Sequence, residues 1–382
     1  MKLLKLSACL MAAVALASCA SDDAVEQSAV QVEQSPIAFG TYSSGVSRAM
    51  ITSKKDFQES GFKVWANVNR EGTKTTESLF SAQNVKYNGT NSKWFYAPIK
   101  YWPTSADATV DSYAVHIDQK NPTNYVDLNT DFDNKPQFYF VVNNKVKDQS
   151  DLLWAKPLLG QKRSDYTTGQ TVDFAFQHAL SGHFFTFKTE NDESANIKKL
   201  TINSITLTGY FAPKAMFNPN ATDINDMWHH YEGDWEKRSY TISTENGGID
   251  ETLFDSENFA DGTAHVITSK NSDTQSSDAQ YDNGGSMESA PKCDYIMVLP
   301  FNHEKVADPG KQSCTITVNY TIYTEDEGGN LVPQTYEVAV DHEFDYSKPG
   351  YLHQGNIVLS LDQINFSADL LEWTVEDHSI NM

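Results

Sequence analysis

Trp228, His229, His230, Tyr231 and Glu232 bring two imidazoles and a carboxylate together, side chains of the kind that bind zinc. Adjacent histidines point to opposite faces of a strand and lack the i, i+4 spacing of a helical site, so the pair reads as loop histidines. Asp273, Asp278, Asp282 and Asn283 supply oxygen ligands of the type calcium takes, but their spacing does not match an EF-hand loop. There is no G-x-S-x-G, no H-E-x-x-H, no Walker loop and no G-x-G-x-x-G. Paired carboxylates for glycoside hydrolysis would come from distant strands and leave no local motif. The expectation is a protein that is not an enzyme and holds neither a cofactor nor a metal.

Of the four cysteines, Cys9 lies in an apolar run from Leu6 to Leu16 that comes after Lys2 and Lys5, the layout of a secretory signal peptide. Leu16, Ala17, Ser18 and Cys19 resemble the lipobox of bacterial lipoproteins, in which the thiol receives diacylglycerol and becomes the new N-terminus. Each buried methylene contributes about 0.8 kcal/mol, so several acyl chains make a stable anchor. Outer-membrane lipid is thus the expected partner of Cys19. Ala20, Ser21, Asp22 and Asp23 resemble the surface-export signal of Bacteroides-type lipoproteins, which implies the outer face of the outer membrane. Cys293 and Cys314 remain, and in an oxidising compartment they could form one bridge or stay as two small buried thiols.

The elements that must position any site are strands. With 51 acidic against 29 basic residues the net charge is −22, which repels phosphate backbones and argues against nucleic acid as a partner. Abundant aromatic residues and short alternating runs of Val, Ile and Thr point to an all-β chain. The organisation read from the sequence is a signal peptide over 1–19, an acidic tether over 20–35, an N-terminal β-sandwich over 36–172 and a C-terminal β-sandwich over 173–382. Antiparallel strands are expected at Gly61 to Asn69, Trp94 to Tyr101, Asp111 to Ile117, Gln137 to Asn143, Val172 to Phe176, Gly182 to Thr189, Ile197 to Thr208, Arg238 to Ser243, Tyr295 to Phe301, Cys314 to Tyr323, Thr335 to Val340 and Asn356 to Leu361. Short helices are expected at Lys54 to Glu59 and around Thr222 to Trp228, and long polar surface loops at Phe211 to Glu236 and Ser269 to Ala290.

Several segments in fixed order resemble the Bacteroides-type fimbrillins, the type V pilins. They are Pro36, Ile37, Ala38 and Phe39 followed by Ser47, Arg48 and Ala49; then Gly61 to Ala66; then Asp151, Leu152, Leu153, Trp154 and Ala155. Phe174, Ala175, Phe176, Gln177, His178, Ala179, Leu180 and Ser181 form the most specific of them, followed by Lys348 to Tyr351, Ile364, Phe366 and Trp373. Phe174, Phe176 and Leu180 are core-type residues, and His178 reads as a hydrogen-bonded structural histidine. The resemblance implies two transthyretin-like antiparallel β-sandwich domains in tandem and cleavage at Arg48, before Ala49, by an arginine-specific maturation protease. The first strand, 36–48 with Ile37 and Phe39, would be removed, leaving a groove for a strand donated by another fimbrial subunit.

Donor candidates alternate in the C-terminal region: Ile357, Leu359 and Leu361, then Ile364, Phe366, Ala368 and Leu370. Arg70 is a second candidate cleavage site, less exposed in expectation because it comes directly after a core-type strand. The implied function is a structural pilus subunit with a role in adhesion and biofilm, located at the outer membrane and then in the fimbrium, with a host or bacterial surface receptor as a further partner. The stalk, tip and anchor positions all remain open to it. The competing reading is a monomeric surface lipoprotein that binds glycan through Trp94, Trp102, Trp228 and Trp235. A β-sandwich hydrolase is a third.

Overall fold

A computed structural model describes residues 35–42, 54–70, 77–117, 125–126, 137–167, 169–189, 197–221, 226–230, 235–243, 265–266, 296–302, 313–343, 346–347, 349–359 and 364–372. In chain order the first half contributes β1 (Phe39–Tyr42), α1 (Lys54–Ser60), β2 (Phe62–Asn69), β3 (Glu77–Asn88), β4 (Lys93–Phe95), β5 (Thr109–Ile117), β6 (Tyr125–Val126), β7 (Phe138–Val141), β8 (Leu152–Gln161) and β9 (Val172–His178). Next come β10 (Ser181–Thr189), β11 (Ile197–Phe211), β12 (Lys214–Phe217), β13 (Trp228–His229), β14 (Glu236–Ser243), β15 (His265–Val266), β16 (Ile296–Val298) and β17 (Phe301–Asn302). The chain closes with β18 (Ser313–Glu325), β19 (Leu331–Glu343), β20 (Tyr346–Ser347), β21 (Tyr351–Leu359) and β22 (Ile364–Glu372). The fold is thus all-β apart from one short helix and single turns of 3-10 helix among the described residues.

A seven-stranded sheet runs β1-β9-β8-β5-β2-β3-β4, and its centre is buried on both faces. Alternation divides its side chains between two cores. Phe62, Val64, Ala66 and Val68 of β2, with Ala114 and Leu153, join a core that also holds Ile37, Phe39, Phe80, Phe174 and Phe176. Trp65, Tyr113, Val115, Leu152 and Trp154 point the other way, into a larger core with Phe140, Phe184, Ile205, Phe217, Tyr240, Ile316 and Ile357. Burial on both faces explains why β2 and the start of β8 read as continuous apolar runs.

The larger core is closed by sheets β15-β10-β21-β22, with β16 also on β10, and β14-β11-β18-β19. A third sheet, β13-β12-β7-β6, pairs strands from both halves of the chain. The described residues accordingly fall in one compact unit, Gln34–Met382.

Several expectations need correction. The segment Phe211 to Glu236 is not simply a solvated loop: β12 and β13 lie in it, and Ala215, Phe217, Met227 and Trp228 are buried. Of the helix expected around Thr222 to Trp228, Asp226 is in a 3-10 turn and Trp228 is in a strand, while 222–225 lie outside the described residues. The polar composition hid this because only alternate residues of such short strands face inward. β9, which lies just beyond the expected boundary at 172/173, pairs with β8 and β1 in the first sheet. Strand pairing is not wholly antiparallel, for β1 runs parallel to β9 and β10 runs parallel to β21.

Trp94 to Tyr101 is strand only as far as Phe95. β3 carries no alternating signal because Ala82 sits at φ 48 and the register slips beside it, leaving Phe80 and Val85 buried five positions apart and out of alternation. The hairpin β18–β19 runs further than its apolar core, to a turn in which Asp326 accepts hydrogen bonds from the backbone of Gly328 (2.9 Å) and Asn330 (2.8 Å).

Candidate functional site

β1 lies at the edge of the seven-stranded sheet, with Phe39 opposite Val172 and Thr41 opposite Phe174. Ile37 and Phe39 are 4% and 3% exposed, so an edge segment supplies two full core residues. The Phe39 ring packs against Phe80 (5.4 Å between centroids), Tyr96 (5.3 Å), Phe174 (5.7 Å) and Phe62 (6.5 Å). Gly40 is closely approached: a Cβ there would meet Asp173 Oδ1 at 2.0 Å, so that side chain would have to turn aside.

The other flank of β1 is held by the segment 94–102. Ile37 N donates to Lys100 O (2.9 Å), Trp102 N to Ser35 O (3.0 Å), and Pro36 bridges to Tyr101. The Tyr96 hydroxyl donates to Ile37 O (2.7 Å), and Trp94 Nε1 donates to Thr41 Oγ1 (3.1 Å). Burial pushes the Tyr96 hydroxyl above its ordinary pKa, with the Lys100 backbone hydrogen bond opposing it, so it stays a neutral donor. Across the strand, Val172 N donates to Ala38 O (2.8 Å). The segment 35–42 therefore sits in a slot, with the 94–102 segment bonding the backbone of 35–37 on one side and β9 pairing with β1 on the other. The second wall was not anticipated from the sequence, although the aromatic density of Lys93 to Trp102 marks it.

The chain after β1 has its own anchors. Phe57 of α1 packs on Phe62 (6.1 Å), Trp94 (5.4 Å), Phe176 (5.1 Å) and His116 (4.9 Å). Gly61, at φ +72 and with Val85 O only 2.3 Å from where a Cβ would stand, ends the helix and offers its carbonyl to His116 Nδ1. Nearby, Asp151 Oδ2 and His178 Nδ1 lie 2.8 Å apart at 0% and 2% side-chain exposure, and Asp151 Oδ1 accepts from Leu152 N at 2.7 Å. Two sequence landmarks are thereby joined, and His178 has the structural role expected of it.

Burial, the largest effect on His116, lowers its pKa from 6.5 to about 4, opposed by its bond to Gly61 and by Asp151. The unfolded chain takes up this proton first, so the stabilisation is complete above the ordinary histidine pKa and is lost as pH falls toward 4. We expect unfolding free energy from urea titrations to drop by about 3 kcal/mol over that interval from this residue, and His116→Gln to flatten the dependence.

The remaining site residues divide clearly. Cys19, Arg48, Ala49, Leu361, Cys293, Trp373, the tether up to 34 and the acidic loop with Asp273, Asp278, Asp282 and Asn283 lie outside the described residues. Ile357 is buried, and it and Leu359 belong to β21, which is paired on one side with β10 and on the other with β22. Ile364, Phe366, Ala368 and Leu370 belong to β22, which among the described residues pairs with β21 and ends its sheet.

Arg70 lies just beyond β2 and meets Glu77 at 3.0 Å. Cys314 is a buried free thiol whose pKa burial raises to about 12, which makes it unreactive. His229 is exposed, His230 Nε2 contacts Pro300 O (2.6 Å), and among the described residues no group of three His, Cys, Asp or Glu could hold a metal. Trp102 and Trp228 are buried, and Trp94 and Trp235 are half-buried against the two cores.

Residues 47–330 match the family described as fimbrillin-like. A fimbrial protein from Bacteroides vulgatus shares the fold, with a TM-score of 0.62 at 15% identity over 89% of this chain and 99% of that one. Structures described as cell adhesion proteins from Bacteroides ovatus and Bacteroides uniformis align over 90% and 89% of this chain, and 99% and 98% of theirs. Both are 12% identical to it, with TM-scores of 0.46 and 0.43. No curated protein sequence matches the chain.

Proposed function

Because the chain belongs to the fimbrillin-like family, a structural and non-enzymatic family, we propose that it is a fimbrial subunit that polymerises by strand exchange after losing β1. It is exported as a lipoprotein on Cys19, reaches the surface of the outer membrane, and is cut after Arg48 by an arginine-specific protease. Its partners are then other fimbrial subunits, with adhesion and biofilm formation as the outcome. The observation that carries this reading is the slot: Ile37 and Phe39 are core residues on an edge segment that one cut at Arg48 can detach. Removing that segment leaves Lys100 O, Trp102 N, Val172 N and an aromatic pocket without partners, which is a template for another chain's strand.

The sheet order favours Arg48 over Arg70. A cut at Arg48 frees an edge strand, whereas loss of everything up to Arg70 would also remove β2, the buried neighbour of both β3 and β5. The smaller core, drawn from Ile37 to Phe176, supports an N-terminal sandwich, while the larger core takes residues from both halves of the chain.

The test is N-terminal sequencing and unheated SDS electrophoresis of the protein after exposure to an arginine-specific protease. A new terminus at Ala49 with a heat-sensitive ladder of multimers is expected. An intact Cys19 terminus and a lone monomer would transfer the assignment to a glycan-binding lipoprotein.

A further inference from the structure

The outer side of the second slot wall is basic and apolar. Residues 78–106 carry three lysines and no carboxylate, although acidic residues outnumber basic ones by 51 to 29 over the chain. Lys86 stands opposite Phe95 in the β3–β4 pair, and Lys93 opposite Asn88. Beyond β4 the chain folds about the Tyr96 hydroxyl, which accepts from Lys100 N at 3.2 Å. Phe95, Ile99 and Tyr101 are 50%, 58% and 43% exposed, three of the six large apolar side chains open to solvent among the described residues.

Two of the other three, Leu331 at 52% and Val332 at 39%, lie at the tip of the β18–β19 hairpin, just after the acidic run Glu325, Asp326 and Glu327. We propose that this tip docks on the basic, apolar patch of a second copy in a head-to-tail contact, with Leu331 and Val332 against Phe95, Ile99 and Tyr101 and the acidic turn facing Lys86 and Lys93. The proposal rests on the strand-exchange reading and adds to it a contact outside the slot.

Three observations support the pairing. The first is placement. β9 ends and β10 begins at Ala179 and Leu180, where Ala179 N donates to Leu152 O and Gly350 N to Leu180 O, both at 2.8 Å. β1 runs parallel to β9 with Phe39 opposite Val172, so Ile37 and the Lys100 and Trp102 that flank it lie at the end of the first sheet remote from that junction. β11 ends beside Pro213, whose carbonyl accepts from Val142 N of the first half, and its other end, Ile197, stands opposite Thr324. The hairpin tip therefore lies at the end of its sheet remote from the first half. Both patches stay open within one copy, and a contact between two unlike patches does not close on itself but propagates as a filament.

The second is charge. A turn with three consecutive carboxylates is repelled by an acidic surface and drawn to a stretch of lysines, which fixes the orientation of the contact more than its strength. The third is order. Asp326 N donates to Asn330 O (2.9 Å) and Gly329 N to Asp326 O (3.0 Å), so the tip has its shape before it meets a partner. The contact is small: a stable complex buries about 1,200 Å² or more, and five half-exposed side chains fall short of that. It forms between subunits already joined through the slot, where the effective concentration is of the order of millimolar.

Cysteine cross-linking of assembled chains reads the contact. Ile99→Cys with Leu331→Cys, exposed to the arginine-specific protease and then mildly oxidised, should give a heat-stable ladder that a reductant collapses. Ile99→Cys with Ser239→Cys, whose second thiol is exposed elsewhere on β14, should give about ten-fold less, and the single-cysteine variants account for Cys293 and Cys314. Lys86→Glu with Lys93→Glu should lower the yield of the first pair about ten-fold by setting like charges together, and adding Glu325→Lys with Glu327→Lys should restore it. All four of these positions are exposed, so the fold is left intact.

A normal heat-sensitive ladder in which the two cysteine pairs cross-link equally, or neither does, overturns the docking and leaves strand exchange standing. Equal cross-linking by Ile99→Cys alone assigns the patch to another occupant and overturns it likewise, as does a charge reversal without effect or without rescue. No ladder in the unmodified chain overturns strand exchange itself, and this proposal with it.

Discussion

The Arg48→Ala variant stays monomeric after exposure to an arginine-specific protease, while Arg70→Ala assembles like the unmodified chain. The reason is competition for one slot. Burying Ile37 and Phe39 contributes about 1.5–3 kcal/mol each, before any contribution from the two-sided backbone pairing. While β1 remains covalently attached it acts as a tethered ligand with an effective concentration of the order of millimolar. A donor strand from a second molecule at micromolar concentration therefore starts at a disadvantage of about a thousand-fold.

Cleavage turns β1 into a free peptide that is diluted once it leaves, whereas α1 and β2 stay anchored through Phe57 and Gly61. Multimer yield on unheated gels against protease dose measures this. Equal ladders from Arg48→Ala and the unmodified chain would mean that the strand is exchanged without a cut at that position.

Asp151→Ala is expected to lower the unfolding free energy by about 1–3 kcal/mol, the usual cost of leaving buried donors without their acceptor. Its carboxylate holds His178 across the β8–β9 junction and caps the backbone at Leu152, and both side chains are shut off from water. The loss would be transmitted to the slot, because β9 is the strand against which β1 lies. Asp151→Asn keeps an acceptor of the same shape and should cost clearly less. Urea denaturation of the three proteins at neutral pH decides the matter, and a loss below about 1 kcal/mol for the alanine variant would show that the pair is dispensable.

Much of the fold was visible as period-two patterning. β18 alternates Cys314, Ile316, Val318 and Tyr320 inward with Thr315, Thr317 and Asn319 outward, and its span was recognised except for the polar end of its hairpin. The helix at Lys54–Ser60 and the strands β2, β5 and β11 were found close to their limits. Where the pattern failed, a physical cause is visible. The bulge at Ala82 disrupts alternation in β3, and β8 begins with four consecutive buried residues because its two faces serve different cores.

Part of the candidate site was legible in the same way. The order of landmarks identified the family, and Ile37 and Phe39 were recognised as core residues of a first strand. Local periodicity could not show that Tyr96, Lys100 and Trp102 form a second wall, or that β1 runs parallel to β9, or that Asp151 meets His178. Nor could it distinguish β21 from β22, which alternate equally well but occupy an interior and an edge position. Which residues turn inward and outward along a regular strand such as β18 is legible in the amino-acid order, because it depends only on the alternation of side chains about the backbone. Which strand has a free edge, and which groups face each other across a slot, was decided only by the tertiary structure, because those pairings join residues far apart in the chain.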